Sequence, residues 1–296
     1  MSARLAWLSL LLVGRAAAAP CCATTGSAGF ERLAPYEEGA VGLRVGFARG
    51  LGGFDAQGRW AAQGDFHEDT SRADVYGIIR LSRAATLGVY LPFMHITREA
   101  GALSGSGTGI GDVQVGGRYA LWAPGMQASP GLALIAALTA PTGTAVDEAD
   151  DPLGADATGR GHWIPQLGLS AEQVWMPWFV RVDASLAWPL PADRGGVQRG
   201  ESPGLGAALL SGREIGDWSA AGGVRAQWTG ERQLDGVALA DSQTHEVVAL
   251  LGLSWRVRRR LTLQAALDLP LPIDGLGQNR WMALATTLGV RSGGSW

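Results

Sequence analysis

WIPQLGLSAEQVWMPWFVRVDASLAW, residues 163–188, reads as two β-strands joined by a tight turn, with a tryptophan at each of the four strand ends. From Phe179 onward Val180, Val182, Ala184, Leu186 and Trp188 share one face, and Arg181, Asp183 and Ser185 share the other. A period of two is the signature of a strand. Leu167, Leu169 and Ala171 alternate in the same way with Gln166, Ser170 and Glu172, and only Met176 and Pro177 separate the two runs. Trp163 to Trp175 spans 12 residues and Trp178 to Trp188 spans 10, close to the roughly 9–11 residues with which a tilted strand crosses a hydrocarbon layer. All four indoles fall on the apolar face. A soluble sandwich would bury that face and has no reason to place tryptophan at two fixed heights. In a membrane barrel the face meets lipid, and Trp gathers at both interfaces because its ring is apolar while its N–H seeks water.

The same pattern repeats along the chain. Strands are expected at about 39–49, 73–81, 86–94, 112–122 and 132–139, then the two strands above, then at about 204–215, 218–228, 244–257, 261–269 and 280–290. Long polar or Gly-rich connections alternate with short turns. These include a loop from Leu51 to Arg72, read as too hydrophilic to bury, and a Gly/Ser-rich loop from His95 to Gly111. Twelve strands with alternating connections predict an all-β protein, a twelve-stranded antiparallel transmembrane β-barrel over 39–296. Such barrels belong to the outer membrane of Gram-negative bacteria and leave no open edge in lipid. With periplasmic termini, Trp175, Trp178, Trp218 and Trp255 mark the periplasmic rim, and Trp163, Trp188 and Trp228 the outer rim. Trp122 and Trp281 break the facing rule, so each is expected to point inward or to sit at a bulge. Trp296 suits a terminal aromatic, although Ser292 to Ser295 matches such a terminus poorly.

Residues 1–18 read as a signal peptide, with Arg4, an apolar run from Leu5 to Val13 and small residues from Ala16 to Ala19. Residues 19–38 follow as a periplasmic N-terminal segment, with a plug-like role open for Ala23 to Glu38. The adjacent Cys21 and Cys22 fit a strained or intermolecular disulfide rather than a metal site, since no CxxC or Cys/His spacing occurs. The 27 acidic and 24 basic residues leave a net charge of -3, which gives no reason to expect a nucleic-acid partner. Every basic residue is arginine, so neither a P-loop lysine nor a Schiff-base lysine is available.

Residues 109–122, GIGDVQVGGRYALW, and 138–144, LTAPTGT, carry a further signal. This chain resembles, most closely over 86–144, the outer-membrane transporter family associated with the meta-pathway of phenol degradation. The resemblance implies a barrel that passes small, aromatic or apolar, solutes and brings no catalytic residues.

The face opposite the lipid-facing one carries Arg44, Arg80, Asp112, Gln114, Arg118, Glu172, Arg181, Asp183, Arg225, Glu246 and Asp268. Two readings of this set stay open: structural ion pairs that fill a narrow lumen, or a lining that selects solutes. Twelve strands leave more room than the roughly eight whose interior side chains fill. The expected activity is passive passage of a small solute, with no cofactor, no metal and no catalysis. The alternatives are a non-conducting structural or surface-binding barrel, or a lipid-modifying enzyme at the membrane rim using His95 or His162. No GxSxG, HExxH or GxGxxG motif supports the enzyme. The acidic run Asp147, Glu148, Asp150, Asp151 and Asp156 is a solvated loop or a divalent-ion site. Expected partners are membrane lipid, lipopolysaccharide, the barrel-insertion machinery and the solute itself.

Overall fold

The computed structural model describes residues 32–34, 36–62, 64–122, 129–194 and 197–294. The readings placed on the signal peptide, on Cys21 and Cys22 and on Trp296 lie outside them. Twelve long strands form the wall: β1 Gly39–Phe54, β2 Phe66–Arg80, β3 Ala85–Ala100, β4 Val113–Trp122, β5 Gly131–Ala140 and β6 Ile164–Trp175 make up the first half. β7 Trp178–Ala187, β8 Gly204–Ile215, β9 Trp218–Thr229, β10 Thr244–Arg258, β11 Leu261–Pro270 and β12 Arg280–Gly294 complete it. Each pairs antiparallel with its chain neighbours, and β12 returns to β1 with Gly39 opposite Gly294. The sheet is closed. Every wall strand therefore has both edges hydrogen-bonded, as hydrocarbon surroundings demand.

The two faces separate as the residue types dictate. Along β8, Leu205, Leu209 and Ile215 are exposed while Ala208 and Leu210 are buried; along β7, Val182 and Leu186 are exposed while Arg181 and Asp183 are buried. Apolar residues outside and charges inside invert a soluble protein, and they define a wall bathed in lipid. The seven tryptophans Trp163, Trp175, Trp178, Trp188, Trp218, Trp228 and Trp255 are all between 38% and 55% exposed. Trp175 pairs across with Trp178, and Trp218 with Trp255, their rings stacked at 5.0 Å. Arg213 lies over the Trp178 ring at 5.1 Å. At the opposite end Trp228 pairs with Leu205 and His245. The short turns carry the chemistry that tight turns need, such as Gly216 at φ 63° between β8 and β9.

Three expectations need correction. The stretch 51–72 is largely strand, because β1 runs to Phe54 and β2 begins at Phe66. The stretch 95–111 is strand as well: β3 extends to Ala100, and Leu103–Ile110 pairs back onto it. Beyond the lipid both faces of a hairpin are wet, so alternation is no longer required, but the ladder continues. Cross-strand pairs such as Glu68 with Arg98, 2.7 Å apart, replace it. Third, the polar stretches 191–203 and 230–243 contribute short strands, Ala192–Arg194, Val197–Glu201, Arg232–Leu234 and Val237–Ala238, that form a separate small sheet. Of the two tryptophans that broke the facing rule, Trp122 follows a register shift between Ala120 and Trp122 that turns it outward. Trp281 is half-buried, its ring edge-on to Phe66 at 5.2 Å, and its Nε1 fills the place that a Cβ on Gly50 would take.

Candidate functional site: the barrel lumen

Near mid-barrel a chamber of about 360 Å³ is lined by Arg44, Asp112, Gln114, Arg225 and Asp268, all of them expected lumen residues, together with Arg72, Asp74, Tyr90 and Gln264. Arg225 Nη2 donates to Asp268 Oδ2 at 3.1 Å, and Arg72 Nε donates to Asp74 Oδ1 at 2.6 Å. Arg44 places its guanidinium over Tyr76, 4.8 Å from the ring centroid, and Tyr76 stacks on Tyr90 at 5.4 Å. The chamber thus offers paired charges of both signs and an aromatic face already engaged by a cation.

The remaining expected residues lie elsewhere. Arg181 and Asp183 form a buried ion pair at 3.0 Å on β7, and the equally buried Glu172 pairs with Arg32. Arg80 donates to the carbonyls of Ala34 and Glu37, 2.8 Å each. Glu246 accepts from Arg280 at 2.7 Å near the outer end. Arg118, half-buried, shares the β4 face of Gln114 but not the chamber.

Sequence reasoning missed an apolar zone. Phe54, Leu210, Val248, Leu250 and Met282 form one buried cluster. Leu210, Val248 and Leu250 belong to it from inward positions, Val248 directly across from Arg225 and Leu250 across from Asp268. The signal was present in VVALL at 247–251, where both faces of one strand are apolar. A barrel strand with a polar inner face cannot read that way.

Asp112 is the second surprise. It stands between the strand Leu103–Ile110 and β4, and its carboxylate accepts from the backbone N–H of Gly143 at 3.0 Å and of Arg160 at 2.7 Å. Thr142 Oγ1 donates to the Gly111 carbonyl at 2.8 Å and accepts from Val113 N, while Thr158 Oγ1 donates to the Ile110 carbonyl at 2.8 Å. The GIGD and PTGT stretches therefore lash the loop of residues 141–163 to the barrel. Alternate glycines make room for it. A Cβ on Gly107 would lie 2.3 Å from the Asp156 Cα, one on Gly105 2.2 Å from Asp151 Oδ2, and one on Gly109 3.1 Å from Thr158 Oγ1. These glycines pair with Ile96, Arg98 and Met94, so the loop lies against the inner side of the outer mouth. Arg98 fixes it further by donating to the carbonyls of Leu153 and Gly154, 2.9 and 2.7 Å away.

The acidic run is consumed by the same loop. Asp156 accepts from Asp150 N and Asp151 N, which hold its carboxyl below the usual carboxylate value, and Asp151 accepts from Leu153 N and Ala155 N. Among the described residues no three His, Cys, Asp or Glu side chains gather as a metal site. His162, 9% exposed, faces Glu201 at 3.9 Å; burial pushes its imidazole below the ordinary 6.5, against the pull of Glu201. A histidine whose folded value is depressed binds protons more readily once released. The loop is therefore expected to be fully held above about pH 6.5 and to loosen as pH falls below it. Protease nicking within 141–163 that speeds up between pH 7 and 5.5, with the acceleration lost in His162→Gln, is the expected result; a flat profile would refute it.

A closed, twelve-stranded wall, an apolar outer surface with two tryptophan rims and a polar lumen define a transmembrane β-barrel of the outer-membrane type. The chain belongs to the family described as "Putative MetA-pathway of phenol degradation", whose profile matches residues 66–269. No curated protein sequence matches it. Among solved structures, an outer membrane channel from Pseudomonas putida F1 is 21% identical, with 89% of this chain and 97% of that one superposed at a TM-score of 0.74. The translocator domain of the autotransporter NalP from Neisseria meningitidis is 11% identical, with 86% of this chain and 88% of that one covered at 0.51. At these identities the likeness is one of fold.

Proposed function

We propose that this protein is an outer-membrane channel for passive passage of small solutes that combine an apolar or aromatic body with a polar group. One observation carries the reading: the ion-paired chamber adjoins the apolar cluster across single cross-strand pairs, Val248 to Arg225 and Leu250 to Asp268. A solute moving there meets hydrogen-bonding groups on one side and dispersion contacts on the other. Neither alone would hold it strongly enough to stop its exit. Family membership and the likeness in fold to the P. putida channel support the same reading. Membrane lipid and lipopolysaccharide are its surroundings on this view, and the barrel-insertion machinery delivers it there.

Catalysis is not part of this reading. A rim-active enzyme would place His95 or His162 against a serine or aspartate, whereas His95 Nδ1 contacts Thr108 Oγ1 at 2.8 Å and His162 faces Glu201.

The test is ion selectivity in planar bilayers. Removing one partner of a lumen pair leaves the other charge to act alone, so Arg225→Ala is expected to shift the reversal potential toward cation preference and Asp268→Asn toward anion preference. Liposomes carrying the protein are expected to admit 4-hydroxybenzoate faster than a polyol of similar size. Folded protein that gives neither current nor swelling would instead support a closed surface barrel.

A further inference from the structure

We propose that the mid-barrel chamber is a binding site for a small planar carboxylate, its charged end held by the side-chain amide of Gln264 beside Arg44 and its flat body laid against β11 and β12. The proposal rests on the channel reading and names the class of solute within it. Gln264 is 7% exposed and lines the chamber, and among the described residues its Nε2 has no hydrogen-bond acceptor. One other described chamber side chain carries such an atom, Arg225 at Nε. Both atoms are N–H donors. Buried polar groups in folded proteins are almost always satisfied, so what the chamber still asks for is an acceptor. Its own carboxylates are already engaged: Asp74 accepts from Arg72, Asp268 from Arg225, and Asp112 from two backbone N–H groups. A cationic solute meets acceptors in use, whereas an anionic one meets an unused donor.

Register supplies the positive charge. Arg44, Gly289 and Gln264 stand opposite one another on β1, β12 and β11. Gly289 has no side chain, so the two flanking groups come together over it. A Cβ there would fall 3.2 Å from Gln264 Oε1 and 3.3 Å from Arg44 Cγ. Tyr76 keeps the Arg44 guanidinium in place, and contact with a ring face does not cancel its charge. A neutral N–H donor beside a fixed cation suits a carboxylate, because a hydrogen bond to an ionised acceptor is about twice as strong as one between neutral groups.

Shape selects the body. Gln264 and Asp268 lie roughly 14 Å apart along β11, and between and beside them the chamber wall presents only the short side chains Ala266, Ala285 and Thr287, with Gly289. A planar ring lies flat on such a surface. At the far edge Arg225 and Asp268 offset one another, so no lone charge there repels the anion. The volume, about 360 Å³, is at the small end of the roughly 300–1,000 Å³ range of ligand pockets, which limits the solute to about one ring.

The experiment is calorimetric titration of the refolded full chain in detergent with benzoate, benzyl alcohol and acetate, for the parent, Gln264→Leu and Gln264→Glu. Each protein is first shown to migrate as a folded barrel. The parent is expected to bind benzoate at least ~10-fold more tightly than either benzyl alcohol, which has no carboxylate, or acetate, which has no ring. Gln264→Leu is expected to weaken benzoate at least ~10-fold, equivalent to ~1.4 kcal/mol, and to leave benzyl alcohol unchanged. Gln264→Glu sets a carboxylate against the ligand's own and is expected to abolish benzoate binding alone. A parent that does not prefer benzoate, or variants that keep that preference or lose both aromatic ligands equally, overturn the site. Uptake of benzoate by liposomes carrying the parent separates the two readings. Selective binding without uptake upholds the site and overturns the channel, and uptake without selective binding does the reverse.

Discussion

Asp112→Ala is expected to free the 141–163 loop and to raise its rate of proteolytic nicking, in intact outer membranes, by roughly 10- to 100-fold. The carboxylate holds two backbone N–H groups, of Gly143 and Arg160. Hydrogen bonds to a charged group contribute about 1.5–3 kcal/mol each, and local opening, not global unfolding, governs cleavage of a surface loop. Losing both costs more than one power of ten, which ~1.4 kcal/mol represents. Full loss is moderated because Thr142, Thr158 and Arg98 still hold their carbonyls. Asp112→Asn keeps one carbonyl oxygen as acceptor and is expected to fall between. The barrel itself should survive both changes, since Asp112 lies outside the wall strands. An alanine variant nicked no faster than the parent would show that the glycine-lined cradle alone holds the loop.

Asp112 also shows where sequence reading stops. Its position opposite the apolar face of β4 identified it as a group facing the lumen, and it does line the chamber. Its partners are backbone amides 31 and 48 residues away, and nothing in local alternation reports contacts at that range. The wall strands were legible because lipid imposes one rule on every outward position, so period two, strand length and tryptophan rims all agree. Outside the hydrocarbon that rule lapses, which is why His67, Glu68 and Asp69 read as loop although they pair with Glu99, Arg98 and Thr97. The glycines at 105, 107, 109 and 111 were visible as a Gly/Ser-rich stretch. The spacing of two among Gly105, Gly107 and Gly109, all within the strand Leu103–Ile110, is the available sign that something lies against one face. Inside the lumen the expected charges were found by elimination from the lipid face, but their pairing was not, since it depends on register between strands. Val248 and Leu250 are hidden in the sequence because the outward residues Val247, Ala249 and Leu251 are apolar as well, so no alternation of polarity marks which face is the inner one.

Leu209 and Leu210 are adjacent in β8 and face opposite solvents, so arginine at the first is expected to reveal what the lipid contributes. Leu209 is 49% exposed and sits across from Val182 and Val224, themselves exposed and midway along their strands. Its side chain therefore lies near the bilayer midplane, where an arginine on the lipid face costs about 2–4 kcal/mol. Reversible unfolding of Leu209→Arg in lipid vesicles should show a loss of that size, with ion selectivity unchanged because the lumen is untouched. Leu205→Arg, near the outer rim beside Trp228, should cost about 0–1 kcal/mol, since the guanidinium there reaches water. The gradient matters more than either value. Equal losses at 205 and 209 would mean that the exposed apolar belt does not sit in a hydrocarbon slab, and the assignment of outside to lipid would fall with it. A steep difference would fix the membrane's depth on the barrel. It would also place the Arg225–Asp268 pair, on β9 and β11, at the level where passing solutes are farthest from bulk water and where paired charges act most strongly on them.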